Sequence, residues 1–345
     1  MSGRTVAVLL GGLVMLLAMF VLALSVGSET VPVSAVWNWL TGHGAGDDGL
    51  TTLLVEFHLP RALTAVAAGS GLAVVGLLMQ TLFANPLADP YILGVSSGAS
   101  LGVALSVLGT GGAATGFTAA FGSFGRWGTV VAAMIGSMLV LGLILLAGRW
   151  VRTVVSLLVI GVMVGSAVGA LVSLLLAFSD PARVQKFVLW SLGSLDGTYL
   201  GDMAVLLPVV AVGLLAALGI SPSLNALLLG ERYAASMGVR VRRIRAVAIA
   251  ATALVCGVVT AFCGPIAFLG IAVPHLARVL LRRADHRLLV PACALLGAVV
   301  CLGCGVLASL PGTDGVLPLN VVTAVVGAPV VVIVLLRSRT MAAGQ

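Results

Sequence analysis

Ten stretches of this chain are apolar over lengths near 20 residues, and almost every charged side chain falls between them. They run approximately Val6 to Val26, Arg61 to Phe83, Ile92 to Leu108, Gly128 to Leu146, Val154 to Phe178, Met203 to Gly219, Ala246 to Phe262, Pro265 to Leu281, Leu289 to Leu310 and Asn320 to Leu336. In hydrocarbon a backbone amide finds no partner outside its own helix, so such a chain is driven into a bundle of membrane-spanning helices. With 60% hydrophobic and 8% charged residues in 345, it is expected to be an all-α polytopic membrane protein of about ten transmembrane helices, one domain over 1–345. Pro90 ahead of the third stretch and Pro274 inside the eighth predict irregular starts or bends there.

Basic residues orient the bundle. With the N-terminus inside, Arg4, Arg149, Arg152, Arg232, Arg240, Arg242, Arg243, Arg245, Arg278, Arg282, Arg283, Arg287, Arg337 and Arg339 face the cytoplasm, and Arg61, Arg126, Arg183 and Lys186 face out. Both termini are therefore expected in the cytoplasm. The basic pI near 9.8 reflects this topology and not nucleic-acid binding. The first apolar run exceeds the usual core of a cleaved signal and reads as a retained span. Cys256, Cys263, Cys293, Cys301 and Cys304 all fall within spans, which implies no disulfide framework; the CxxC spacing of Cys301 and Cys304 reads as helix packing.

The sequence weighs against ion coupling and excludes an internal ATP-binding loop of the usual kind. No acidic residue lies inside any span, as ligands for a coupling ion would require; His275 and Arg278, toward the cytoplasmic end of theirs, read as local hydrogen-bonding groups rather than an ion relay. The single lysine, Lys186, follows Gln185, so no GxxxxGK[ST] phosphate loop exists and the chain is not itself an ATPase. Uphill transport would need a partner. Ser221 to Arg245 is the largest cytoplasmic stretch for docking one: Ser221, Ser223 or Asn225 can cap a short helix, Leu224, Leu227 and Leu228 give it an apolar stripe, and Gly238 suits a left-handed end.

Local chemistry at three further places leaves alternatives open. In NPLADP, Asn85 to Pro90, two prolines and two Asx residues stop one helix and start another, with Asn85 or Asp89 able to satisfy freed amides. The small residues Gly94, Ser96, Ser97 and Gly98 suit close helix packing or room for a solute. Gly264 and Pro265 break the chain before another glycine-bearing helix, a faint repeat relating roughly 61–178 to 246–336.

Four ordered segments, His58 to Ser100, Leu228 to Arg245, Gly264 to Arg278 and Leu317 to Val330, resemble the FecCD-type permeases, membrane subunits of type II ABC importers for iron siderophores, haem and cobalamin. The resemblance implies a ten-helix subunit in the bacterial cytoplasmic membrane, paired with a second permease subunit. Its partners would be an ATPase inside, which binds the ATP and Mg, and a substrate-binding protein outside; no cofactor would be bound directly. A coupling helix between spans six and seven would centre on Gly230, Glu231, Ala234, Met237 and Gly238, which can equally lie on anionic lipid through the arginines that follow. Arg61, with His58 where the family often has a second arginine, would dock the binding protein, or Arg61 would serve as an interfacial anchor. The pathway would run past Gly94, Ser96, Ser97, Gly161, Val162 and Gly165. Where the family shows Glu-Leu-Pro, a small residue and glycine, this chain has Val316, Leu317, Pro318, Leu319 and Asn320. Trp190 and Gly193 resemble its Trp-x-x-Gly segment, while Trp37 and Trp39 suit an interfacial belt. The resemblance implies import of a bulky metal chelate, ferric siderophore first, with haem and cobalamin as alternatives; beside it stand an ion-coupled secondary transporter and a non-transporting membrane scaffold.

Overall fold

A computed structural model of the chain describes residues 3–27, 29–108, 126–150, 154–309 and 317–342. The side chains of Arg126, Arg149, Arg152, Arg337 and Arg339 in the charge count, and Val316 in the outer motif, lie outside the described set. Helices in order are α1 (Gly3–Ser25), α2 (Val33–Leu40), α3 (Asp48–Leu53), α4 (Leu59–Leu82), α5 (Val95–Leu108), α6 (Arg126–Trp150), α7 (Val154–Ala177), α8 (Pro181–Ser191), α9 (Met203–Leu227), α10 (Glu231–Ser236), α11 (Val241–Cys263), α12 (Leu269–Leu281), α13 (His286–Ala308) and α14 (Leu319–Ala342). Among the described residues seven helical runs are long and apolar enough to cross a membrane, and three shorter apolar helices lie at Val95–Leu108, Leu269–Leu281 and Leu319–Val332. Each of the ten apolar stretches holds one of these.

α4 is the hub, packed against α9, α11, α12 and α13. Its sequence is small or apolar on every face, which is the pattern of a helix with neighbours all round, and nearly all of Pro60–Leu82 is buried. Glycine sets the closest approach: a Cβ on Gly69 would stand 2.2 Å from the carbonyl oxygen of Gly297 on α13. Lipid supplies no hydrophobic drive between helices, so such backbone contact is where their attraction comes from. α5 and α6 meet the same way, at Gly98 and Gly136.

Both predicted breaks are built as read. After α4, the Asn85 side chain accepts from Leu87 N at 2.9 Å and Asp89 from Tyr91 N at 2.7 Å. A 3-10 turn, Pro90–Leu93, then leads through left-handed Gly94 into α5. After α11, Gly264 and Phe268 both take positive φ, and residues between them have no helical partners. Their groups are paired from a distance: Tyr91 Oη accepts from Ile266 N at 3.2 Å, Asn320 accepts from Ala267 N at 3.0 Å, and Asn320 Nδ2 donates to Pro265 O at 2.7 Å. Asn320, where the sequence departs from the family pattern, thus closes the hydrogen-bond account of the second break.

Two segments between spans fold further than the sequence indicated. α2 carries exposed Trp37 and half-buried Trp39, and α8 places Trp190 beside Phe187. All five cysteines are free and buried.

Candidate functional site

α9 runs on past Gly219 to Leu227 and changes the anatomy of the stretch that follows. Ser221, Ser223 or Asn225 was expected to cap a new helix there, but Ala217, Ile220, Ser221 and Leu224 are buried on one face, and that packing carries α9 on, through Pro222. Ser221 is therefore no cap; its hydroxyl donates to Ala217 O at 2.9 Å. Leu224 is likewise core and not part of an exposed stripe. Asn225 is taken up elsewhere: it donates to Asp285 at 2.6 Å and accepts from both His286 N and His286 Nδ1 at 2.8 Å. Thr81 at the end of α4 meets the other ring nitrogen of His286 at 2.7 Å. The donation from Asn225 holds the Asp285 carboxyl below the ordinary carboxylate range.

The short helix is α10, bracketed by two glycines in conformations that side chains rarely adopt. Gly230 has φ 100° and Gly238 φ 82°. Val239 N donates back to Ala234 O at 3.1 Å, closing the helix over buried Ala234. Glu231 pairs with Arg245 at 2.6 Å, which ties the start of α10 to the first turns of α11. What projects is apolar: Leu228, Leu229, Tyr233 and Met237 are all at least half exposed. Four large side chains on a six-residue helix and its approach form a contact tip. Gly230, Glu231, Ala234, Met237 and Gly238 are thus brought together, two as hinges, one as an ion-pair partner, one as the buried foot and one as surface.

The same end of the bundle carries a second polar tie. Arg278 Nη1 donates to Gln80 Oε1 at 2.6 Å, and Gln80 Nε2 donates to Gly270 O at 3.2 Å. Arg278 thus has a specific partner on α4. Arg4 donates to Leu280 O at 2.7 Å, which places the start of α1 at this end too.

At the opposite end, Arg61 and His58 are turned inward. Arg61 is only 9% exposed; it donates to Gly305 O at 2.5 Å and to the Ser309 hydroxyl, and its Nε stands 3.0 Å from Asp196. His58 is 3% exposed, with Nδ1 2.6 Å from Leu24 O and Gly27 packed against its ring. Neither projects from the surface of this chain, so the reading of them as docking residues meets a geometric obstacle. Asp196, 40% exposed as a side chain, is the member of the cluster that faces out.

The residues singled out along the pathway form one close contact. A Cβ on left-handed Gly94 would lie 3.1 Å from Gly161 O and 3.3 Å from Gly165, and Gly165 faces the Ser97 hydroxyl. Ser96 is half-buried nearby on α5, and Val162 points away on an exposed apolar face of α7. The sequence did not single out Gln80, Thr81, Tyr91 or Asp285; the available signal was a polar side chain stranded beside an apolar run.

The family model of the FecCD transport family matches residues 15–337. The hemin transport system permease protein HmuU of Yersinia pestis is 34% identical over 351 residues, covering 100% of both chains. The vitamin B12 import system permease protein BtuC of Klebsiella pneumoniae subsp. pneumoniae is 34% identical over 334 residues, 96% of this chain and 94% of that one. A solved structure assigned as a metal-chelate type ABC transporter, in an inward-facing conformation, superposes with a TM-score of 0.82 at 27% identity, covering 95% of this chain and 98% of that one. With both breaks and all four sequence segments inside the matched span, this chain belongs to the FecCD transport family.

Proposed function

We propose that this chain is the membrane-spanning permease subunit of an ATP-driven importer that passes a bulky metal chelate inward from a binding protein. The observation that carries the reading is the apolar tip formed by Leu228, Leu229, Tyr233 and Met237 around α10, in a chain with no phosphate loop of its own. An energy-consuming partner must act through a surface, and this one is connected to the core by the Glu231–Arg245 pair and the Asn225–Asp285–His286 cluster. The orientation with both termini and α10 in the cytoplasm follows from the basic-residue count. The ATPase, with its ATP and Mg, would then seat on the tip.

For cargo, ferric siderophore has no advantage here over haem or cobalamin; the relatives whose names state a cargo carry hemin and vitamin B12. The exposed apolar face of α7, with Val159, Val162, Met163 and Leu171, supports pairing with a second permease subunit. Docking of the binding protein belongs at the end that displays Asp196, with Arg61 and His58 acting from behind it.

Co-purification tests the reading. The chain and an ATP-binding-cassette ATPase subunit should elute together in mild detergent, and truncating Leu229 and Met237 to alanine should separate them. An ATPase that stays bound with equal affinity after truncation rejects the tip as its seat. Growth on siderophore, haem or cobalamin as sole source, with and without the intact transporter, assigns the cargo.

A further inference from the structure

A cleft of 370 Å³ lies between α6, α9 and α11, apart from the α10 tip, the Arg61 cluster and the Gly94 contact. Its walls include Met138, Val212, Ala216, Ala250 and Leu254. Ser137 supplies a hydroxyl, but that group already donates to Val95 O at 3.2 Å. Nothing polar in the cleft awaits a partner, so its occupant must be an apolar chain. Met138 and Val212 at the rim are 52% and 55% exposed, which opens the cleft sideways, toward lipid.

Length and charge narrow the occupant. On α11 the wall extends from Val247 to Val258, about 16 Å at the helical rise. One leaflet of a hydrocarbon core about 30 Å thick is about 15 Å deep. One turn before Val247, on the same face of α11, stands Arg243, with Arg240 a further turn out. Both are exposed, and neither forms an ion pair among the described residues, whereas Arg245 is engaged by Glu231. A leaflet-deep apolar slot with free guanidinium groups at its polar mouth matches a phospholipid with a negative headgroup. We propose that this cleft holds one acyl chain of an anionic phospholipid whose phosphate is held by Arg243. A second copy of the chain has a barer apolar face to pair with on α7, whose span is 22% buried, against 33%, 47% and 78% for α9, α6 and α11 around the slot.

Native mass spectrometry of the full chain, delipidated and titrated with phosphatidylglycerol or phosphatidylcholine of identical acyl chains, tests the assignment. Wild type should retain one phosphatidylglycerol about fivefold better than phosphatidylcholine, the ratio equivalent to ~1 kcal/mol for one arginine near an anionic group. Arg243→Gln should bring that ratio close to one. Ala250→Phe should fill the slot and remove the retained lipid of either kind, and Ala216→Leu should do the same from the opposite wall, so one misfolded variant leaves the other to decide. Equal retention of the two lipids by wild type overturns the proposal. So does an unchanged lipid count in a folded wall variant, or a change in dimer mass in place of lipid count, which would make the cleft a subunit contact.

Discussion

The Arg61 cluster allows a measurement that separates an internal latch from a surface docking charge. Arg61 ties α4 to the end of α13 through Gly305 and Ser309, and to the loop after α8 through Asp196. Arg61→Met keeps the apolar stem and removes the head. Two charge-assisted bonds to neutral acceptors are lost, at roughly 1.5 kcal/mol or more each, offset in part because a buried charge no longer needs desolvation. The pair with Asp196 adds only about 1 kcal/mol, since its carboxylate is 40% exposed. The single change should therefore cost ~2–3 kcal/mol, Asp196→Asn ~1 kcal/mol, and the double variant less than their sum by ~1 kcal/mol. Reversible unfolding in detergent micelles, followed by tryptophan fluorescence at low and high salt, reads all four corners of the cycle. Because Arg61 is nearly enclosed, most of its cost should survive high salt. A coupling energy of zero, together with an Arg61→Met variant as stable as wild type, would refute the latch and return Arg61 to the surface.

Asn225→Leu strips three bonds from the Asp285–His286 cluster and should cost ~2–4 kcal/mol in the same unfolding assay. It should also flatten acid sensitivity: a carboxyl held low stabilises above the unfolded value near ~4 and loses that contribution as pH falls through its folded value, and the variant removes the main cause. Asp89 runs the other way. Burial pushes its carboxyl up to about 6, so ionisation weakens the fold as pH rises from ~4 toward that value. Asp89→Asn should raise Tm at pH 7.5 and leave it unchanged near pH 4, and a gain of equal size at both would show burial is not the cause. Gly69→Val drives a side chain into the Gly297 carbonyl and should cost more than ~2 kcal/mol, whereas Gly219→Ala, with open space around it, should be neutral or slightly stabilising by thermal melt. Gly238→Val meets no neighbour but must hold φ 82°, so it should spare insertion while uncoupling ATP hydrolysis from uptake in proteoliposomes; unchanged uptake would remove Gly238 from the coupling path.

The sequence conveyed most where local chemistry decides. Apolar length located the helices, Asx and proline residues located the break after α4, and the left-handed need at Gly238 was readable from glycine alone. It conveyed least where partners are far apart in the chain. Arg61 and Ser309 are separated by 248 positions, and in a chain apolar on every face no periodicity tells an inward arginine from an outward one. Ser221 and Leu224 misled for a related reason: a capping hydroxyl and an apolar stripe of a new helix were read where the packing of Ala217 and Leu224 continues the old one, which a residue-by-residue reading does not register. Asn225 and Tyr91 were invisible as ties because their partners, at 285–286 and 266, belong to other helices or breaks.

The glycine contacts of α4 bear on how the subunit can move. α4 lies backbone to backbone on α13 at Gly69–Gly297 and on α12 at Gly76–Gly270, with no side chain between that could rotate aside to admit a new register. Helices joined in this way shift as one solid wedge or not at all. Any alternation between outward and inward opening therefore has this wedge as its stator. The helices seated against it through replaceable side chains are freer to shift, among them α7, whose glycine contact at Gly94 sits on a left-handed residue beside a break.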